Sequence, residues 1–171
     1  GLVAAIMWTY LYVPEISPFA GHLGFSLLSS HVILASMANM TTWTFTGYNM
    51  LIFLAALQAI PSDLYEAARI DGASGWDIMT KIKVPMVRGA AMLAVLLSII
   101  GTVQLFNEPT VLATVATWMP RDYTPMMMAY NTMNGKISPS GAGPASAVSI
   151  MMALVAGVLA MIYALAQRKV D

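Results

Sequence analysis

An all-α bundle of membrane-spanning helices is the fold this sequence predicts, and three observations predict it. Hydrophobic residues make up 58% of the 171 and charged residues 9%, where a soluble domain carries about 25% charged residues. Mean hydropathy is +0.72. The charges are also unevenly placed: none falls in residues 16–62, 89–107 or 137–167, and half fall in 61–88. A helix crosses the hydrocarbon in about 20 residues, so the charge-free runs hold three full spans, at about 32–57, 89–106 and 145–166. The formal net charge is zero, which leaves no basic surplus for nucleic acid. With no cysteine there is no disulfide, zinc–thiolate or thiol chemistry. The composition also excludes disorder. The solvent of this polytopic transmembrane bundle is the lipid bilayer.

The first apolar stretch, residues 1–13, is too short to cross alone. No basic segment precedes it in this sequence, so a signal peptide is not expected here. It is expected to be the second half of a partial first span, and the chain the C-terminal portion of a longer transmembrane domain. Trp8, Tyr10 and Tyr12 suit a membrane interface, and Trp118 and Tyr123 suit the far connection.

The second span, 32–57, carries Asn39, Thr41, Thr42, Trp43, Thr44, Thr46, Tyr48 and Asn49. Hydroxyls are satisfied by their own helix, but asparagine at membrane depth faces protein or a watery path. Interhelix hydrogen bonding and a polar solute path stand equally open. The span at 89–106 ends near Gln104, Asn107 and Glu108, which line an outer mouth or meet water. The last span, 145–166, carries Ala145, Ser149, Ala153 and Gly157 on one ridge. Small residues let helix backbones approach, and packing within the same bundle is favoured over a seam with another subunit. The 15 methionines lack supporting cysteine or paired histidine ligands, so no metal site is expected and they are read as packing filler. His22 and His31 do not pair at membrane depth.

Residues 61–88 carry the chemical information. Pro61 and Ser62 start a short helix, with Ser62 or the Asp63/Glu66 pair as its cap. Leu64, Tyr65, Ala67 and Ala68 make its apolar face. Gly72 stops it, where a left-handed residue is cheap. Ser74 and Asp77 form a second capping box. Trp76, Met79 and Ile82 form the apolar side of a second helix, and Pro85 ends an extended stretch and opens the third span. Such a pair of amphipathic helices either docks a soluble partner or folds back on the bundle. Arg69, Lys81, Lys83 and Arg88, with Arg168 and Lys169 in the tail, outweigh Arg121 and Lys136 in the other connections. The positive-inside rule therefore places 61–88 and the C-terminus in the cytoplasm.

Glu66-Ala67-Ala68, three residues, Gly72, nine residues, Ile82, one residue and Val84-Pro85 resemble the EAA loop of binding-protein-dependent ABC importer permeases. Val84 replaces the usual leucine of that motif. The stretch IPSDLYEAARIDGASGWDIMTKIKVP is similar to the sugar-importer branch, the maltose-type and glycerol-phosphate-type membrane subunits, with Met79 where phenylalanine is frequent. Trp8 followed by Tyr12-Val13-Pro14, Leu105-Phe106, and Ala145-Ser146-Ala147-Val148-Ser149 extend the likeness. Ala116-Thr117-Trp118-Met119-Pro120 departs from the family's Thr-Gly-Gly-Pro-like turn.

The resemblance implies a permease subunit of an ATP-driven importer in the cytoplasmic membrane of a bacterium or archaeon. Its expected partners are a cytoplasmic ABC ATPase dimer, a second permease subunit, an extracytoplasmic solute-binding protein and a carbohydrate solute. Glu66, Ala67, Ala68, Gly72, Ile82 and Pro85 are the implied ATPase-coupling residues. This sequence has no G-x-x-x-x-G-K-[ST] phosphate loop, so it needs no cofactor of its own and ATP is bound by the partner ATPase. No nucleophile–base constellation indicates an enzyme. The polar residues of the second and third spans give a substrate path through Asn39, Trp43, Asn49 and Gln104. Two other classes remain as alternatives, an ion-coupled secondary transporter and a membrane anchor subunit, and the loop spacing argues against both.

Overall fold

A computed structural model describes residues 1–168, without the side chains of Ala166 and Arg168. Among the described residues every regular element is helical. Helix α1 runs Leu2–Tyr12 and a short 3-10 turn follows at Ala20–His22. Helix α2 spans Ile33–Gln58, and at about 1.5 Å per residue its 26 residues exceed the hydrocarbon thickness. Three short helices come next: α3 at Ser62–Ile70, α4 at Gly75–Ile78, and α5 at Val84–Met86, with a π-helical turn at Met79–Lys83 between the last two. Helix α6 covers Arg88–Val103, α7 Asn107–Leu112, α8 Pro125–Met133 and α9 Ala142–Arg168.

Two helical runs are long and apolar enough to cross a membrane, Arg88–Leu112 and Ala142–Leu165. A third is counted when α2 and α3, bent by 63° at their junction, are taken together. The expected spans at 32–57 and 145–166 therefore correspond to α2 and α9. The span expected at 89–106 is broken: α6 stops at Val103, Gln104 caps it, and the helix resumes as α7 at Asn107. The break frees backbone groups that hydrocarbon cannot satisfy. Thr124 supplies one partner, its hydroxyl donating to the Leu105 carbonyl at 3.1 Å. The tail's basic pair is not placed by the structure, since the side chain of Arg168 is not described and Lys169 lies outside the described residues.

The core lies at the end of the bundle that carries the 104–144 connection. Tyr12, Ile33, Met37, Met40, Leu112, Ala116 and Met119 pack there as one buried cluster. Burying those apolar groups among themselves drives this end together. The Tyr12 hydroxyl ties two helices, donating to the Ser36 carbonyl at 3.1 Å and accepting from the Asn39 amide at 2.8 Å. Residues 116–120 supply two side chains to this core and one tie to the loop before α2. Ala116 and Met119 are buried, and the Trp118 indole donates to the Leu28 carbonyl at 2.8 Å.

Helix α8 starts with Thr124 as its cap and Pro125 in the first turn, where its missing N–H costs nothing. It folds back on the start of α9. Along α9, Val148, Met152, Ala156, Ala160 and Tyr163 form the partly covered stripe. The small-residue ridge lies one position over. Ala145 at its start is buried, but Ser149, Ala153 and Gly157 are exposed. Packing within this bundle thus accounts for Ala145 and not for the rest of the ridge. Leu154, Val158, Met161 and Leu165 on α9 are more than half exposed, as suits side chains whose solvent is lipid.

Candidate functional site

The 61–88 loop is built by its capping residues. Helix α3 ends in a Schellman motif: the Ala73 N–H reaches the Ala68 carbonyl at 2.9 Å and the Gly72 N–H reaches that of Arg69 at 3.1 Å. Gly72 takes φ +80° to close it. Two residues on, the Ser74 hydroxyl accepts from the Asp77 N–H at 3.2 Å, and the Asp77 carboxylate accepts from the Ser74 N–H at 3.1 Å. That is the reciprocal box expected for this sequence. Lys81, one turn on, pairs with Asp77 at 2.7 Å. Lys81 first, then the Ser74 hydrogen bonds, hold the Asp77 carboxyl well below the usual carboxylate range.

Three expectations for the loop need correction. Helix α3 has no side-chain cap: Pro61 is the N-cap, and Ser62 is already helical with its hydroxyl directed to Asp63. The segment before Pro85 is not extended but a π-turn, in which the Val84 N–H reaches back five residues to the Met79 carbonyl. Proline lacks an N–H, and its ring crowds the carbonyl four residues back, so a wider turn accommodates Pro85 inside a continuing helix. The inward face of the second helix is Ile78, which is buried, with Ile82 half-buried, rather than Trp76, Met79 and Ile82.

The fold-back reading describes one face of this loop, and the other face is open surface. Tyr65, Ile78 and Lys83 turn toward the end of α2, with the Lys83 ammonium 5.6 Å from the centre of the Tyr65 ring. Ile70 is 86% exposed and Trp76 70% exposed. Glu66, Ala67, Gly72 and Pro85 are also exposed, and Ala68 is half-buried. The implied coupling residues thus lie mostly on open surface around two bare apolar side chains.

A second feature is an interhelical groove of about 840 Å3 between α2, α6 and α9. Its polar groups are Asn49, Ser98, Thr102 and Tyr163. The Ser98 and Thr102 hydroxyls donate one turn back to the Ala94 and Ser98 carbonyls, both at 2.8 Å. The Tyr163 hydroxyl donates to the Met92 carbonyl. All three hydroxyl oxygens keep acceptor capacity toward the groove.

The structure does not bring the four sequence-picked path residues together. Asn49 lines the groove. Asn39 is on another face of α2, bonded to Tyr12, and Trp43 meets the Trp8 ring edge-on at 6.1 Å between centroids. Gln104 is the exposed cap of α6. Ser98, Thr102 and Tyr163 were not singled out from the sequence. The available signal was the spacing of Ala91, Ala94, Ser98 and Thr102, small or hydroxylic residues every three to four positions on one face of α6.

Several known proteins resemble this chain. The lactose transport system permease protein LacF of Rhizobium radiobacter is 37% identical over 131 residues, covering 75% of this chain and 43% of that protein. A probable starch degradation products transport system permease protein, AmyD of Thermoanaerobacterium thermosulfurigenes, is 25% identical over 178 residues, covering 100% of this chain and 60% of its own length. The trehalose transport system permease protein SugA of Mycobacterium tuberculosis is 31% identical over 114 residues, covering 65% of this chain and 37% of that protein. The chain therefore spans roughly two fifths to three fifths of the length of these relatives. The family described as binding-protein-dependent transport system inner membrane component matches residues 2–171. With its helical spans, its capped loop and that match over nearly its whole length, this chain belongs to the inner membrane components of binding-protein-dependent transport systems.

Proposed function

We propose that this chain forms part of the permease of an ATP-driven importer for a carbohydrate. The observation that carries the reading is the 61–88 loop, a pair of helices joined by the Gly72 turn and the Ser74–Asp77 box, which leaves Ile70 and Trp76 bare beside Glu66 and Ala67. Exposed apolar groups on a polar-rimmed knob fit a protein partner. The family description supplies a binding protein as a further partner. The printed names of the relatives, for lactose, starch degradation products and trehalose, support a sugar as solute.

In this reading the loop and the C-terminus face the cytoplasm, and a separate ABC ATPase dimer seats on the loop. A second permease subunit completes the pathway. A solute-binding protein delivers sugar at the opposite end, where the Tyr12–Met119 core sits. The ATPases differ in shape when open and closed. Their contact with the loop therefore differs between the two states, and that difference biases the bundle between two arrangements. The groove lined by Asn49, Ser98, Thr102 and Tyr163 is the part of the path supplied by this chain. It offers hydroxyl and amide partners on apolar walls, which suits the mixed faces of a sugar ring.

The test is co-purification of the ATPase with the assembled transporter, read beside solute uptake. Gly72→Val and Glu66→Lys are expected to insert normally, to lose ATPase on purification and to lose transport with it. Retention of the ATPase and wild-type uptake by both variants would remove the loop as the docking element.

A further inference from the structure

We propose that the cavity between the end of α2 and the 61–88 loop binds the phosphate group of an anionic phospholipid. The cavity has a volume of about 240 Å3. It is lined by Leu57 and Gln58 of α2, Tyr65 and Arg69 of α3, and Ile78 and Lys83 of the second loop helix. Its polar lining consists of a guanidinium, an ammonium, an amide and a phenol, all of which donate hydrogen bonds. Among the described residues no carboxylate lines it. The Asp77–Lys81 ion pair involves neither Arg69 nor Lys83. Lys83 instead lies over the Tyr65 ring, which leaves its charge unneutralised. Two positive charges and no negative one therefore meet in one concave space, a setting that matches a phosphate.

The wall above the cavity selects a lipid over a free anion. Leu54 lies one turn before Leu57 and Gln58 on the same face of α2, and Met50 and Leu51 lie one turn before that. All three are exposed, at 50%, 65% and 66%. A headgroup phosphate held by Arg69 and Lys83 would place its acyl chains along this apolar track. The length of α2, 26 residues, carries its last turn past a hydrocarbon layer of about 30 Å to the depth of the headgroups. Basic groups at that depth attract anionic lipids. A bound lipid would bridge α2, α3 and the second loop helix, and so stiffen the joint through which the loop moves the bundle. The inference rests on α2 as a span and not on the identity of the solute.

The experiment uses the full transporter, with its ATPase, in nanodiscs of phosphatidylcholine and phosphatidylglycerol in equal parts. Native mass spectrometry then reads which lipid stays bound. Because both faces of a nanodisc are open, the result does not depend on orientation, and because uptake is not measured it is separate from the importer reading. The wild type is expected to retain phosphatidylglycerol over phosphatidylcholine by roughly thirtyfold, the scale set by two basic groups at a membrane surface. Arg69→Gln with Lys83→Gln should abolish the preference. Arg69→Lys with Lys83→Arg, which keeps both charges, should preserve it, and so should Arg121→Gln, which removes a charge elsewhere. An unchanged preference in the Gln pair overturns the proposal. So does loss of the lipid to millimolar inorganic phosphate, which would mark a free-anion site. A preference seen only after the ATPase is stripped also overturns it, since the cations would then serve the ATPase.

Discussion

Gly72 shows what a single residue contributes here. A Cβ built on it would meet nothing within 4 Å, so a substitution does not clash. The strain comes from φ +80°, which costs an L-residue about 1–2 kcal/mol. Asparagine tolerates that conformation better than alanine or valine does. ATPase retention should therefore fall in the order Gly, Asn, Ala, Val. Equal loss with Asn and Val, measured by co-purification, would mean that bulk at the docking face matters rather than backbone angle. Asp77 adds a pH dependence of known sign. Its folded carboxyl titrates below its ordinary range because Lys81 and Ser74 favour the charged form. The stability it lends the loop is thus fully present above about pH 3.9, the unfolded value, and is lost as pH falls below that toward the folded value. A carboxyl-carbon shift titration of Asp77 should show no change from about pH 5 to 8. A midpoint at or above the ordinary carboxylate value would contradict the capping geometry.

At the scale of elements, the break between α6 and α7 shapes the groove. Helix α6 has only 16 residues, about 24 Å at 1.5 Å each, less than the hydrocarbon thickness of about 30 Å. The span is completed by α7, which packs against α1 and α2, while α6 faces α2 and α9 across the groove. The break thus divides one crossing into a core-forming part and a groove-lining part. Ser98→Leu and Thr102→Leu should raise the KM for uptake by about fivefold each, the worth of one hydrogen bond of about 1 kcal/mol, with ATPase retention unchanged. Gln104→Ala, on an exposed cap outside the groove, should leave KM alone. If Gln104→Ala raises KM and the two groove variants do not, the path follows the residues picked from sequence rather than the groove.

For the molecule as a whole, the asymmetry of its two ends is the main feature. One end is a packed core around Met40 and Leu112; the other is a polar, capped loop with exposed Ile70 and Trp76. In the proposed orientation these ends lie on opposite sides of the membrane, with the basic loop in the cytoplasm. A cysteine at Ser74 should react with an impermeant reagent only from the cytoplasmic side, and one at Ser140 only from outside. Both positions are exposed. Labelling of Ser74→Cys in intact cells would overturn the proposed topology.

The sequence by itself determined the helical membrane class, the rough placement of two long apolar helices, and the Gly72 stop and Ser74–Asp77 box of the loop. These are local matters: charge-free length, the Ser74–Asp77 spacing, and a glycine at the position where a helix closes left-handed. It also carried the likeness of Glu66, Ala67, Ala68 and Gly72 to a known loop, because that motif is a spacing along one chain. Tertiary structure alone decided which polar residues share a space. Asn39, Trp43 and Asn49 lie on one helix, yet its rotation sends Asn39 to Tyr12, Trp43 to Trp8 and Asn49 to the groove. The partners of Asn49 come from α6 and α9, about 50 and 110 residues farther along. Periodicity reports which residues share a helix face, but not which other helix that face meets. The wide turn at Met79–Lys83 was hidden for a related reason. Pro85 signals only that a regular helix is disturbed, and not whether it ends or, as at Met79–Lys83, widens and continues.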